Sequence, residues 1–175
     1  MRNSRNSSNL IFRKMYYSTD YSSPLGEMLI VSDGEAICGL WFYSQKYFKS
    51  SIDDDLIEKP DLAIFKKVSK WLDDYFNGIN PEIDFKLRPM GSEFRKKVWK
   101  ILCEIPYGKT MTYGEIASKL SPTMSAQAVG GAVGHNPISI LIPCHRVVGT
   151  NGKLTGYAGG IDRKIELLKL EQVKL

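Results

Sequence analysis

Asn136-Pro137-Ile138-Ser139-Ile140-Leu141-Ile142-Pro143-Cys144-His145-Arg146-Val147-Val148-Gly149 is the stretch around which the chain is organised. The apolar run Ile138 to Ile142 is stopped by Pro143, and a thiol, an imidazole and a guanidinium follow in succession. A free thiol has a pKa of about 8.5, so a nucleophilic cysteine needs a base or a positive field nearby. His145 and Arg146 supply both types, and the chain has only one other histidine, His135. On an extended segment adjacent side chains point to opposite sides. A link from Cys144 to His145 would then run through a water. Cys38 and Cys103 lack such neighbours and read as small buried hydrophobes.

Upstream, the pattern is helical from a boundary at Pro89-Met90-Gly91. Ser92 is placed to cap a helix with an apolar face of Phe94, Val98, Ile101 and Leu102, and a basic face of Arg95, Lys96, Lys97 and Lys100. Thr112-Tyr113-Gly114-Glu115 spells a capping box, and Ser125 caps a second short helix, Ala126 to Gly134. Two short helices about a tight turn make a helix-turn-helix candidate. The second contains Gly130, Gly131 and Gly134, each costing roughly 1 kcal/mol against alanine. Small side chains let a helix backbone come close to a neighbouring element or to DNA. Downstream, Gly149 to Gly160 is a glycine-rich loop without the Gly-Lys-Ser/Thr ending of a phosphate cradle. A last helix starts near Ile161, with Ile161, Ile165, Leu168 and Gln172 on one line and Glu171 at its edge.

Before Pro89 the pattern is that of strands. Met28 to Val31 and Ala36 to Phe42, joined through Asp33-Gly34, predict a hairpin. The acidic segment between Tyr43 and Pro60, with Asp53-Asp54-Asp55, reads as a solvated loop. A helix opened by Asp61 and closed by Gly78 carries the stripe Ile64, Phe65, Val68, Trp71, Leu72, Tyr75 and Phe76, which reads as core. Ile83 to Arg88 alternates like a half-buried strand. Residues 1–14, rich in Asn, Ser and Arg, read as a mobile tail or an added leader.

Ile140 to Gly149, with Ala128-Val129-Gly130-Gly131-Ala132 and Tyr113 before it and Gly156-Tyr157-Ala158-Gly159-Gly160 and Glu171 after it, resembles the signature of the DNA alkyltransferases that repair O6-alkylated guanine. The likeness is dense in the C-terminal half and loose before it. It implies an α+β fold: a small N-terminal sheet with a packing helix, ribonuclease H-like, over 15–88, and a helical domain with a helix-turn-helix over 89–175. It also implies single-turnover transfer of the alkyl group to Cys144 from a nucleotide flipped out of double-stranded DNA. In that family the second helix of the pair enters the minor groove, which suits small side chains and sequence-blind reading.

By the same resemblance His145 is the base oriented by Glu171, Tyr113 donates to the leaving guanine, and Asn136 braces the turn bearing Cys144. Ala126, Gln127, Gly130, Arg146, Tyr157 and Ala158 are then expected to meet DNA or the flipped base. Gln127 departs from the arginine common there, which implies a weaker hold on DNA because no charge is brought.

Net charge is +5, but residues 1–88 hold 12 Lys+Arg against 13 Asp+Glu and residues 89–175 hold 12 against 6. The basic excess therefore sits with the cysteine, as a polyanion partner requires. Only Cys38 and no histidine precedes residue 100, so neither the zinc site of some relatives nor any other metal or cofactor is expected. Three scattered cysteines suit a reducing compartment, no segment reads as a signal or membrane span, and a cytoplasmic monomer is the expectation. Three other readings use the same residues. A thiol hydrolase would turn over on esters, a helix-turn-helix regulator would select one operator, and a lesion-binding relative would lack the cysteine.

Overall fold

The computed structural model describes residues 14–175; the expected tail falls outside the described residues except for Lys14. Three antiparallel strands form the centre of the first half: β1 (Tyr16–Ser23), β2 (Gly26–Ser32) and β3 (Ala36–Phe42). Asp33 makes the β2–β3 turn by accepting from the Glu35 and Ala36 N–H groups, both at 3.0 Å. Gly34 there takes φ +101°. Two short strands add in parallel at the edges, β4 (Leu56–Glu58) beside β1 and β5 (Lys86–Leu87) beside β3. The acidic segment is thus not all loop, since Leu56 to Glu58 pair with Tyr16 to Ser18. The alternation of Ile83 to Arg88 yields only two paired residues, and Ile83 is exposed.

Helix α1 (Ala63–Phe76) has Leu62 rather than Asp61 at its N-cap. It buries Phe65, Val68, Trp71, Leu72 and Tyr75 in a cluster with Met28, Ile30, Leu40 and Phe42 of the sheet. The opposite sheet face has its own smaller cluster of Tyr16, Leu29, Val31, Cys38, Trp41 and Ile52. Strand β3 is therefore buried on both faces, which explains its unbroken apolar run.

The second half is helical. It comprises α2 (Glu93–Leu102), α3 (Tyr113–Leu120), α4 (Ala126–Gly134) and α5 (Ile161–Leu170), with one two-residue parallel pair, β6 (Met111–Thr112) and β7 (Val147–Val148). Ser92, Thr112 and Ser125 cap α2, α3 and α4, and Thr112 with Glu115 completes the reciprocal capping box. The buried side chains of α2 are Val98, Trp99 and Leu102. Trp99 donates to the Ala132 carbonyl at 2.8 Å, locking α2 to α4. Cys103, expected inside, is exposed because it forms the C-cap of α2, beyond the buried face. On α5 the inner line is Lys164, Leu167, Leu168 and Glu171, whereas Ile161 and Gln172 lie outside. The larger apolar cluster runs without a break from the sheet through α1 to α2, α3, α4 and α5.

Candidate active site

The segment before the cysteine docks on the sheet. Leu40 N–H donates to the Pro137 carbonyl and Ser139 N–H to the Leu40 carbonyl, both at 2.9 Å, so the segment extends β3 sideways. Asn136 staples the loop: its amide donates to the Ile142 carbonyl at 2.8 Å and to that of Ile138 at 3.3 Å, and its oxygen accepts from Ile138 N–H at 3.0 Å. Ile140 sits at φ +69°, a left-handed conformation strained for a β-branched residue by about 1–3 kcal/mol. The arm is thus a docked, tightly turned loop rather than an extended strand.

Cys144, His145 and Arg146 form one turn of 3-10 helix. Residues in such a turn do not alternate as in a strand, and both Cys144 and His145 are buried, at 4% and 0% exposure. Burial pushes the Cys144 thiol above its ordinary pKa, opposed by the Asn136 amide and the Lys164 ammonium. The resting group is a thiol, and a base must remove its proton.

Behind it lies the relay. His145 Nε2 meets Glu171 Oε2 at 2.5 Å, while Nδ1 is buried and takes no hydrogen-bond partner among the described residues. Burial holds His145 below its usual pKa against the pull of the carboxylate; in the neutral ring, a proton on Nε2 hydrogen-bonded to Glu171 leaves the lone pair on Nδ1. Glu171 Oε2 also accepts from the Tyr75 hydroxyl at 2.6 Å, and Oε1 from Arg146 Nε at 2.7 Å and Gly108 N–H at 3.1 Å. Burial alone would raise this carboxyl, but the bonds from His145, Arg146 and Tyr75 outweigh it and hold it at about 2.

Cys144 opens on a cavity of about 510 Å³ shared with Tyr113, Gly130, Tyr157 and Ala158, so five of the residues named from sequence converge there. Thr155 Oγ1 donates to the Tyr113 hydroxyl at 3.4 Å. Ala126 and Gln127 are not in this wall; they stand exposed on the first turn of α4. Arg146, expected at the DNA, is instead turned inward: beyond Glu171 it donates to the Ile105 carbonyl at 2.7 Å. The 3-10 turn carries it to the side away from the cavity.

Two participants escaped the sequence reading. Tyr75 belonged to an aromatic stripe that read wholly as core, and nothing local marks its hydroxyl. Lys164 is fully buried and donates to the Val147 carbonyl at 2.5 Å and the Thr155 carbonyl at 3.2 Å, tying the turn's exit to the glycine-rich loop. Burial lowers its pKa to about 8, with the Cys144 thiolate pulling upward. A lysine four residues before Leu168 and seven before Glu171 was the available sign, had the inner line of α5 been phased correctly. Among the described residues no group of three His, Cys, Asp or Glu side chains could hold a metal ion, and no helix is long and apolar enough to cross a membrane.

Known proteins resemble this chain in both of its halves. Residues 15–89 match the family model of the 6-O-methylguanine DNA methyltransferase ribonuclease-like domain, and residues 93–173 match that of its DNA binding domain. The methylated-DNA--protein-cysteine methyltransferase of Methanosarcina mazei is 47% identical over 161 residues, covering 92% of this chain and 99% of that protein. Its Haemophilus influenzae namesake is 42% identical over 158 residues, covering 90% and 87%. The crystal structure of Mycobacterium tuberculosis OGT in complex with DNA superposes with a TM-score of 0.79 at 42% identity, covering 90% of this chain and 92% of that one. With two family models that together span most of the chain, and relatives above 40% identity over nearly all of it, the chain belongs to the 6-O-methylguanine DNA methyltransferase family.

Proposed function

We propose that the protein repairs O6-alkylguanine in double-stranded DNA by moving the alkyl group, once, onto Cys144. The observation that carries this is one buried thiol that lines a cavity together with the second helix of a helix-turn-helix, and that is followed in the chain by an imidazole bonded to a buried carboxylate. Residues 15–88 serve as scaffold, and residues 89–175 bind DNA and accept the alkyl group.

In this mechanism α4 lies against the duplex. A Cβ at Gly131 or Gly134 would meet nothing within 4 Å, and one at Gly130 only the Tyr113 ring at 3.8 Å. Packing within the chain thus does not account for these glycines, whereas close approach of an outside partner does. Ala126 and Gln127 meet the DNA at the gap left by the extruded nucleotide, and Tyr157 and Ala158 wall the flipped base. The Cys144 proton passes to His145 Nδ1, directly or through one water, and Glu171 steadies the imidazolium that results. The lone pair of Sγ forms a bond to the alkyl carbon as the carbon–O6 bond breaks. Guanine leaves with that electron pair, the Tyr113 hydroxyl donating a hydrogen bond to a ring nitrogen to offset the developing charge; the guanine anion is then protonated from water, and the imidazolium returns the proton taken from Cys144 to the solvent. A thioether has no ready exit, so the protein is consumed.

The chemistry draws on no cofactor. Every residue in it comes from one copy of the chain, which fits a monomer, and three free thiols fit the cytoplasm. The test is mass spectrometry after incubation with a duplex bearing one O6-methylguanine. The expected result is a gain of one methyl per chain, mapped to Cys144 and absent in Cys144→Ser; repeated turnover, or transfer by the serine variant, would refute the reading.

A further inference from the structure

One stretch of the Cys144 cavity wall is not made by the C-terminal half alone. It is made by Lys46 and Tyr47, from the turn that follows β3, together with His135 at the C-cap of α4. The Tyr47 ring stacks on the His135 ring at 3.8 Å between centroids and 24° between planes. Lys46 Nζ lies over the Tyr47 ring, 5.1 Å from its centroid. His135 is itself fixed, Nδ1 lying 2.7 Å from the Gly131 carbonyl.

The turn is anchored at two points. Lys46 N–H donates to the Ala158 carbonyl at 2.9 Å. The buried Gln45 oxygen accepts from Phe42 N–H at 2.8 Å and from the Ser139 hydroxyl at 3.2 Å. Tyr47 has φ +61°, a conformation that an aromatic residue adopts at a cost, and its side remains 38% exposed. A ring held in a strained backbone, yet contributing little to the core, is better explained by what it faces than by what it buries.

We propose that Tyr47 is a specificity-determining residue: stacked on His135, it sets the upper size of the O6 substituent that the site admits. This rests on the alkyl-transfer reading above. Because the carbon under attack must lie at Sγ, the remainder of a large substituent projects into the space that the guanine leaves free, and the Tyr47–His135 pair bounds that space. A methyl group does not extend that far; a benzyl group does. Substituents that overfill a packed pocket are opposed by the rigidity of its walls.

The experiment measures single-turnover rates on duplexes carrying O6-methylguanine or O6-benzylguanine, for the unmodified chain, Tyr47→Ala and Tyr47→Phe. The ratio of the benzyl rate to the methyl rate is the readout, because partial unfolding would lower both rates together. Tyr47→Ala is expected to raise the ratio by roughly tenfold, the scale on which pocket contacts discriminate between substrates. Tyr47→Phe, which keeps the ring, is expected to leave it as in the unmodified chain. An unchanged ratio in Tyr47→Ala would make the stack mere packing, and a lower ratio would make the ring a platform for large groups; either overturns the proposal. If the unmodified chain transfers neither group to Cys144, the alkyl-transfer reading itself fails, and this proposal falls with it.

Discussion

Glu171 accepts hydrogen bonds from α1, from the loop after α2 and from the 3-10 turn, all on two buried oxygens. Its folded pKa of about 2 lies below the reference of 4.5. The ionised carboxylate therefore stabilises the fold fully above pH 4.5, and the contribution is lost as pH falls toward 2. A shift of this size corresponds to about 3 kcal/mol, of which about 2 kcal/mol is gone by pH 3. Glu171→Gln should be less stable than the unmodified chain at pH 7, with the gap narrowing at pH 3; urea melts at both values measure it, and a constant gap would contradict the assignment. The same residue marks how far the sequence could be read. Cys144 and His145 announced themselves by adjacency and Glu171 by family likeness. Tyr75 did not, because a tyrosine in an apolar stripe buries its ring whether or not its hydroxyl has a task.

Among the elements, α4 departs furthest from helical preference, yet it is capped by Ser125 and locked by Trp99. Stability and binding should therefore separate here. Gly131→Ala, with open space for its methyl group, should stabilise the protein by about 1 kcal/mol through helix propensity. If α4 lies against DNA, the same methyl group should weaken DNA binding. A thermal melt and a binding titration on one preparation check both, and undiminished affinity would place the DNA elsewhere. In the second half helix starts were the legible part of the secondary structure, since Ser92, Thr112 and Ser125 each cap as their spacing predicts. Helix faces were less so. On α5 the apolar Ile161 is exposed and the charged Lys164 is buried, because carbonyls from two loops receive its ammonium, and no local pattern records such long-range partners.

Across the whole molecule, the N-terminal half is joined to the chemistry by one continuous core and by single polar groups at its border. Tyr75→Phe keeps the ring and removes only the hydroxyl that donates to Glu171 at 2.6 Å. It should fold normally and transfer the alkyl group more slowly by a factor on the order of ten, the worth of one hydrogen bond to a charged group. An unchanged single-turnover rate would show that the first half takes no part in the relay.

The short parallel pair between β6 and β7 has a bearing on timing. Met111 pairs with Val147 and Thr112 with Val148, so the strand entering α3 is bonded to the strand leaving the Cys144 turn. The part of the protein that grips the duplex and the part that holds the sulfur are thus two ends of one stiff bracket. So stiff a link calls for no closing movement, and the proposed transfer is expected to keep time with how often a nucleotide swings free of its neighbours.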